Sequence, residues 1–163
     1  MFVLRTAVLF FALTTAASAA TITGRVTAIA DGDSFTLTDG RRRSTRVRIQ
    51  GVDAPERRQA FSYASKQALS DMLYGRDVVV AIDKQDRYGR IVGMVKIDGR
   101  DAGLQQIRAG LAWFYSHYSN EMNASDRAAY VAAQRDARAA RRGLWSELNP
   151  IPPWRFRRET PRR

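Results

Sequence analysis

The chain has 163 residues, of which 45% are hydrophobic and 26% are charged, proportions that suit one globular domain with a single core. Its 27 lysines and arginines outnumber its 16 acidic residues and give a net charge of +11, which favours nucleic acid as the partner over an anionic membrane surface. The absence of cysteine excludes disulfides and thiolate metal sites, and the single histidine, His117, disfavours a histidine-rich zinc site or a Ser-His-Asp triad.

Residues 1–19 have the composition of a secretory signal peptide. Arg5 supplies the positive charge, residues 7–13 form the apolar stretch, and residues 17–19 form a small-residue cleavage site. The apolar stretch is too short to span a bilayer comfortably, so cleavage is favoured over an uncleaved anchor, and no stable membrane insertion is expected after cleavage. We expect the mature chain to begin near Ala20 and to be periplasmic or secreted.

Five segments of the mature chain are predicted to be β-strands, because they are rich in β-branched residues and are bounded by turn signals. They are residues 21–29, 34–38, 45–50, 78–82 and 91–97. In the third segment Val47 and Ile49 face one side, whereas Arg46 and Arg48 face the other. Residues 83–90 are expected to form the loop between the last two strands.

Three segments show features of helices, at residues 61–73, 101–109 and 124–142. Gly75 is a plausible end of the first helix, and Asp101 can cap the start of the second. The third helix can be capped by Asn123 or Ser125 and stops at Gly143. Five strands with a helix after the third is the order of an oligonucleotide-binding barrel, although the same order suits other small α+β folds.

The chain after Trp145 becomes rich in proline and arginine. We expect a folded domain over residues 20–148 and a basic tail over residues 149–163, with five arginines and one acidic residue from Arg155 onward. This composition indicates a flexible arm. It could add phosphate contacts, or it could be a solvated terminus.

Three short clusters carry candidate chemistry. The segment Asp31-Gly32-Asp33-Ser34 is a turn signal by itself, and an EF-hand is excluded because Phe35 and Leu37 stand where oxygen ligands are needed. In Val52-Asp53-Ala54-Pro55-Glu56, the proline keeps Ala54 extended, so the two carboxylates project in fixed directions. Oxygen donors of this kind suit a hard cation, calcium or magnesium. The third cluster is Asp86-Arg87-Tyr88-Gly89-Arg90, which alone would be an ordinary hairpin loop.

Taken in order, these clusters, Arg48 and the terminal Gly143-Leu144-Trp145-Ser146-Glu147 resemble the staphylococcal nuclease family over essentially the whole mature chain. The resemblance implies a five-stranded oligonucleotide-binding β-barrel with three helices. It also implies a calcium-dependent hydrolase that cuts phosphodiester bonds of DNA and RNA without sequence specificity, as an endonuclease leaving 3′-phosphate ends. We expect a monomer that prefers single-stranded nucleic acid.

The resemblance also implies roles for individual residues. One calcium ion would be bound by the carboxylates of Asp33 and Asp53 and by the main-chain carbonyl of Ala54, which stands where the family often has threonine. The catalytic residues implied are Arg48, Glu56 and Arg90. The residues implied to bind substrate are Arg87, Tyr88, Tyr115 and Tyr118, of which the last two are candidates to stack on a base, whereas Trp113 is expected in the core.

Two other functions are compatible with parts of the sequence. A non-catalytic barrel that binds single-stranded nucleic acid would be expected to lack some of the catalytic and metal-binding positions, and none is missing here. A membrane-surface or cell-wall protein anchored by the basic tail would leave the cluster of carboxylates and arginines unexplained.

Overall fold

The computed structural model describes residues 20–160, except for the side chains of Tyr118 and Ser119. The predicted leader at residues 1–19 and the last three residues of the tail lie outside the described residues. Among the residues described, no helix is both long and apolar enough to span a membrane.

Five of the strands close into a barrel. The strands are, in chain order, β1 (Thr21–Ile29), β2 (Ser34–Thr38), β3 (Ser44–Ile49), β4 (Val52–Asp53), β5 (Asp77–Gln85), β6 (Ile91–Ile97), β7 (Arg100–Asp101) and β8 (Trp113–Phe114). Antiparallel pairing joins the barrel strands in the order β3-β2-β1-β5-β6, and parallel pairing of β3 with β6 closes the ring. The structure therefore confirms the predicted α+β fold with a five-stranded barrel.

The loop predicted at residues 83–90 is shorter in the structure. Strand β5 continues to Gln85 because a bulge between Ile82 and Lys84 shifts its register against β6 and lets the pairing resume. The strand pattern in the sequence breaks at the bulge, so a prediction from alternation ends the strand too early.

Residues 20–160 contain four α-helices, whereas three were predicted. They are α1 (Ser62–Leu73), α2 (Ala102–Arg108), α3 (Ala124–Ala139) and α4 (Pro153–Glu159). The predicted caps of α2 and α3 are confirmed, since the side chain of Asp101 accepts from the N–H of Leu104 and that of Asn123 accepts from the N–H of Asp126. Helix α4 was not predicted, because the proline-rich and arginine-rich composition indicated an unstructured arm. Its first residue is Pro153, a favoured position for proline.

The core fills the barrel and continues under α2 and α3. As predicted, Val47 and Ile49 point inward and are fully buried, whereas Arg46 is exposed on the outer face. Gly103 lets α2 approach β3 and β4 closely, since a Cβ atom there would lie 2.6 Å from the Tyr130 hydroxyl and 2.8 Å from Cγ2 of Val52.

A second, smaller apolar cluster joins the end of α3 to the C-terminal segment. It contains Trp113, which is 7% exposed as expected of a core residue, together with Ala137, Leu144 and Trp145. The rings of Trp113 and Trp145 meet edge to face with centroids 4.3 Å apart. Trp154 of α4 packs on the same cluster, so the C-terminal helix is docked against the folded domain.

Candidate active site

Arg48 on the outer face of β3 brings the two predicted metal-binding aspartates together. Its Nη1 donates to Oδ1 of Asp33 at 2.9 Å, and its Nη2 donates to Oδ1 of Asp53 at 2.9 Å and to the carbonyl of Val52 at 3.1 Å. The side chains of Asp33 and Asp53 are only 4% and 1% exposed. One guanidinium therefore compensates two buried carboxylates.

Asp33 is held in place by the turn that precedes β2. Its carboxylate accepts from the hydroxyl of Ser34 at 2.6 Å and from the N–H of Ala54 at 2.9 Å. The turn packs directly on α1, where a Cβ atom at Gly32 would lie 1.8 Å from Oγ of Ser65, so only glycine leaves room for this approach. The Asp-Gly-Asp sequence thus places a buried carboxylate against the loop that follows β4.

Asp53 and Glu56 are positioned by β4 and the extended segment after it. Asp53 pairs with Trp113 in the two-stranded sheet of β4 and β8, and the Glu56 N–H donates to Oε1 of Gln59. Both carboxylates accept from Arg157 of α4, with Nη1 3.1 Å from Oδ1 of Asp53 and 2.7 Å from Oε1 of Glu56. Nη2 of Arg157 lies 2.9 Å from Oδ2 of Asp53. Sequence reasoning missed Arg157, because it assigned the whole tail to a flexible arm.

The charges in this cluster shift one another's pKa values. Burial and the nearby Asp33 carboxylate raise the pKa of Asp31 to about 7. For Asp33 burial disfavours the charged form, but the Arg48 guanidinium and the hydrogen bonds it receives outweigh burial and lower its pKa. The Asp33 charge raises the pKa of Arg48 above its usual value, so Arg48 stays cationic. Burial raises the pKa of Asp53, while hydrogen bonds from Arg157 oppose that rise.

The loop between β5 and β6 holds Arg90 beside the same part of the barrel. Its Nε donates to Oδ2 of Asp86 at 2.7 Å, and Gly89 supplies the left-handed turn with φ of 74°. Arg90 directly precedes Ile91, which pairs with Val47 of β3, the neighbour of Arg48. Arg48 on β3 and Arg90, which immediately precedes the adjacent strand β6, are therefore near neighbours in the barrel wall, although Arg90 is bound to its own loop carboxylate rather than to the cluster around Arg48.

A groove of about 620 Å³ lies between this loop, the segment after β8 and helix α4. Its lining residues are Arg87, Tyr115, Ser116, His117, Trp154, Arg157 and Arg158. Two of the predicted substrate-binding residues therefore share one groove. A third, Tyr88, adjoins it on the loop, with its exposed ring 4.9 Å from the Arg87 guanidinium carbon. The fourth prediction, Tyr118, falls on a side chain outside the part of the chain that the structure describes.

The donor chemistry around Asp33 and Asp53 fits a hard cation. The two carboxylates bridged by Arg48 are oxygen donors of the kind calcium prefers, and Ala54, whose carbonyl is the third predicted ligand, follows Asp53 directly in the chain. Within residues 20–160, no three acidic or histidine side chains are close enough together to hold a metal ion. Main-chain and water oxygens would thus have to complete the coordination of an ion bound here.

Comparison with known proteins identifies the family to which the chain belongs. Residues 46–147 match the family model described as "Staphylococcal nuclease homologue". An "Uncharacterized endonuclease" of Haemophilus influenzae is 37% identical over 151 residues, which cover 93% of this chain and 82% of that protein. A "Micrococcal nuclease" of Shigella flexneri is 35% identical over 144 residues, which cover 83% of this chain and 80% of that protein. The chain therefore belongs to the staphylococcal nuclease family.

Proposed function

We propose that this endonuclease-type hydrolase is an exported, calcium-dependent enzyme that cleaves DNA and RNA without sequence specificity and leaves 3′-phosphate ends. The observation that carries the proposal is the convergence of Arg48, Asp33, Asp53 and Glu56 in one hydrogen-bonded cluster. Family membership makes phosphodiester hydrolysis the reaction. The cluster contains cationic and anionic side chains of the kinds that this reaction uses, which supports the proposal.

The arginines are suited to binding the phosphate and stabilising the charge that builds up on it. A guanidinium stays protonated and can donate two parallel hydrogen bonds to phosphate oxygens. Arg48 is supported by Asp33 and Asp53, and Arg90 by Asp86, so each cation is held in a defined orientation before substrate binds. Because a guanidinium gives up its proton only at very high pH, we assign both residues electrostatic roles rather than proton transfer.

Glu56 is the carboxylate suited to work on water. Its side chain is 29% exposed, whereas those of Asp33 and Asp53 are almost completely buried. A carboxylate at the solvent boundary can orient a water molecule or accept its proton next to the phosphate. General-base action of this kind contributes about 10²–10⁴-fold to a rate.

The ligands proposed for calcium are the carboxylates of Asp33 and Asp53 and the carbonyl of Ala54. Calcium, when bound, supplies positive charge that polarises the phosphate. The chain contributes the buried carboxylates that give the site its negative charge. It also contributes the Ala54 N–H, which donates to Asp33 at 2.9 Å and fixes that side chain.

The proposed substrate is single-stranded or frayed DNA or RNA. Arg87 and Tyr115 line the groove, Tyr88 adjoins it, and Tyr118 is proposed to add a further aromatic surface. Arginines follow a phosphate backbone and tyrosines stack on any base, so such a groove binds strands without reading their sequence. We also propose that the enzyme is periplasmic or secreted, on the basis of the leader-like residues 1–19, and that it acts as a monomer.

Digestion of denatured DNA tests the proposal. The purified protein should degrade the strand when calcium is present and stop when a calcium chelator is added, and end analysis should find phosphate on the 3′ side of each cut. Binding to the strand without any cleavage in calcium would favour the non-catalytic barrel instead. Cleavage that persists in excess chelator would remove the calcium requirement but leave the nuclease assignment intact.

A further inference from the structure

The C-terminal helix places an arginine on the proposed calcium ligand. Arg157 of α4 binds Asp53 through two parallel hydrogen bonds, from Nη1 to Oδ1 at 3.1 Å and from Nη2 to Oδ2 at 2.9 Å. The same Nη1 binds Glu56 at 2.7 Å. Arg157 therefore occupies both oxygens of Asp53 and the space between Asp53 and Glu56. It lies beyond residues 46–147, the segment that matches the family model.

Several contacts dock α4 in this position. Pro153 is buried. The ring centroid of Trp154 lies 5.5 Å from that of Trp113 and 5.3 Å from that of Tyr115. The side-chain amide of Gln59 donates to the carbonyl of Ile151, just before the helix. Arg157 is thus presented to the carboxylates by a packed helix, which lowers the entropy lost when the ion pair forms.

We propose that Arg157 is an intramolecular competitor for the divalent cation, so that calcium binds Asp53 only when this guanidinium moves away. A cation at Asp53 needs an oxygen that Arg157 holds. Two positive groups within a few ångströms of each other also repel, and water screens that repulsion only weakly beside a carboxylate that is 1% exposed. The inference rests on the calcium dependence in the proposed function. It goes beyond that function because α4, which lies outside the family-matched segment, would regulate the binding of calcium to Asp53.

The departing guanidinium has a second partner available. Arg157 lines the groove together with Arg87 and Arg158, where a polyanionic strand is proposed to bind. A phosphate of the strand can accept from Arg157 while the cation takes over Asp53. Cation and substrate then favour each other's binding, since each stabilises the displaced position of Arg157.

Calorimetric titration of calcium into the full-length protein tests the competition without any nuclease activity. If Arg157 holds the carboxylates for more than about 90% of the time, its removal should raise the apparent calcium affinity by roughly tenfold or more. Arg157→Gln is therefore expected to bind calcium at least about tenfold more tightly than the unmodified protein. Arg157→Lys keeps the charge but loses the bidentate contact with Asp53, so its calcium affinity should lie between those of the unmodified protein and Arg157→Gln.

Two variants control for the loss of one positive charge. Arg155→Gln lies on the same helix but pairs with Glu159, and Arg158→Gln lines the same groove next to Arg157. Both should keep the calcium affinity within about twofold of the unmodified protein, because both side chains are exposed and water and salt screen their charges. Thermal unfolding followed by circular dichroism establishes that each variant is folded at the titration temperature.

The outcomes separate this inference from the proposed function. If Arg157→Gln binds calcium no more tightly than Arg155→Gln and Arg158→Gln, Arg157 is not a competitor, although calcium dependence stands. Weaker binding by Arg157→Gln overturns the inference as well, since it would make the arginine a support of the site. If neither the unmodified protein nor any variant binds calcium, both the calcium requirement and the competition are wrong.

Discussion

Replacement of Arg48 by glutamine should destabilise the fold, besides removing a phosphate-binding group. Arg48 makes three hydrogen bonds, of which two go to carboxylates that are almost fully buried, and its own side chain is only 20% exposed. Glutamine cannot reach both Asp33 and Asp53 and carries no charge. The variant would leave two buried carboxylates with less compensation than they have in the native protein.

The size of the effect follows from what each carboxylate retains. Asp33 keeps the hydroxyl of Ser34 and the N–H of Ala54, and Asp53 keeps Arg157. We therefore expect the loss typical of breaking one buried ion pair, about 3–5 kcal/mol, rather than twice that amount. In a protein of this length such a loss lowers the melting temperature by about 6–20 °C.

Urea unfolding followed by circular dichroism measures the free energy of unfolding. Arg46→Gln is the matched control, because Arg46 lies on the same outer face of β3 but is exposed, and it should change stability by less than about 1 kcal/mol. Adding Asp33→Asn to Arg48→Gln should recover part of the loss, since the unpaired buried charge disappears. A loss below about 1 kcal/mol in Arg48→Gln would refute the view that Arg48 compensates the two aspartates.

Further substitutions separate chemistry from packing. Glu56→Gln should reduce the single-turnover cleavage rate by about 10²–10⁴-fold without lowering the melting temperature. The control Glu147→Gln, at an exposed position, should leave the rate and the melting temperature unchanged. Near-native cleavage by Glu56→Gln would contradict the proposed role of Glu56. Arg90→Ala should slow cleavage by about 10²–10³-fold, and unaltered kinetics would remove it from the site. Gly103→Ala should lower the free energy of unfolding in urea by about 1–3 kcal/mol, because the added Cβ atom would press on buried side chains. The control Gly40→Ala should leave that free energy unchanged, since no atom lies within 4 Å of the added Cβ. Equal effects of the two substitutions would contradict the close packing of α2 on the barrel.

The barrel could be predicted from the sequence because local signals and the fold agree. Turn residues bound each strand, and the alternation at Val47 and Ile49 against Arg46 and Arg48 is the one that the barrel uses. The caps at Asp101 and Asn123 were likewise readable from residue type and position. The bulge in β5 was not, because it depends on pairing with β6.

The candidate site was only partly predictable. Family motifs identified Arg48, Asp33 and Asp53, and the structure brings these three together. Motifs do not show which donors satisfy a carboxylate, and those contacts come from residues far apart in the chain. Asp53 and Arg157 are separated by 104 positions. The tail was predicted from composition, which ignores that Trp154 can pack on Trp113 and order the arginines around it.

Docking of α4 changes what deletion of residues 155–163 should do. For a flexible arm, deletion would only weaken binding of the strand, most strongly at low salt, and reduce its salt dependence, through loss of phosphate contacts. In the structure it also removes the guanidinium that covers Asp53 and Glu56. We therefore expect the affinity for the strand to become less dependent on salt concentration. The calcium concentration needed for half-maximal cleavage should fall at the same time. Measurement of both quantities on the same truncated protein distinguishes the two views, and an unchanged calcium requirement would mean that α4 contributes to substrate binding alone.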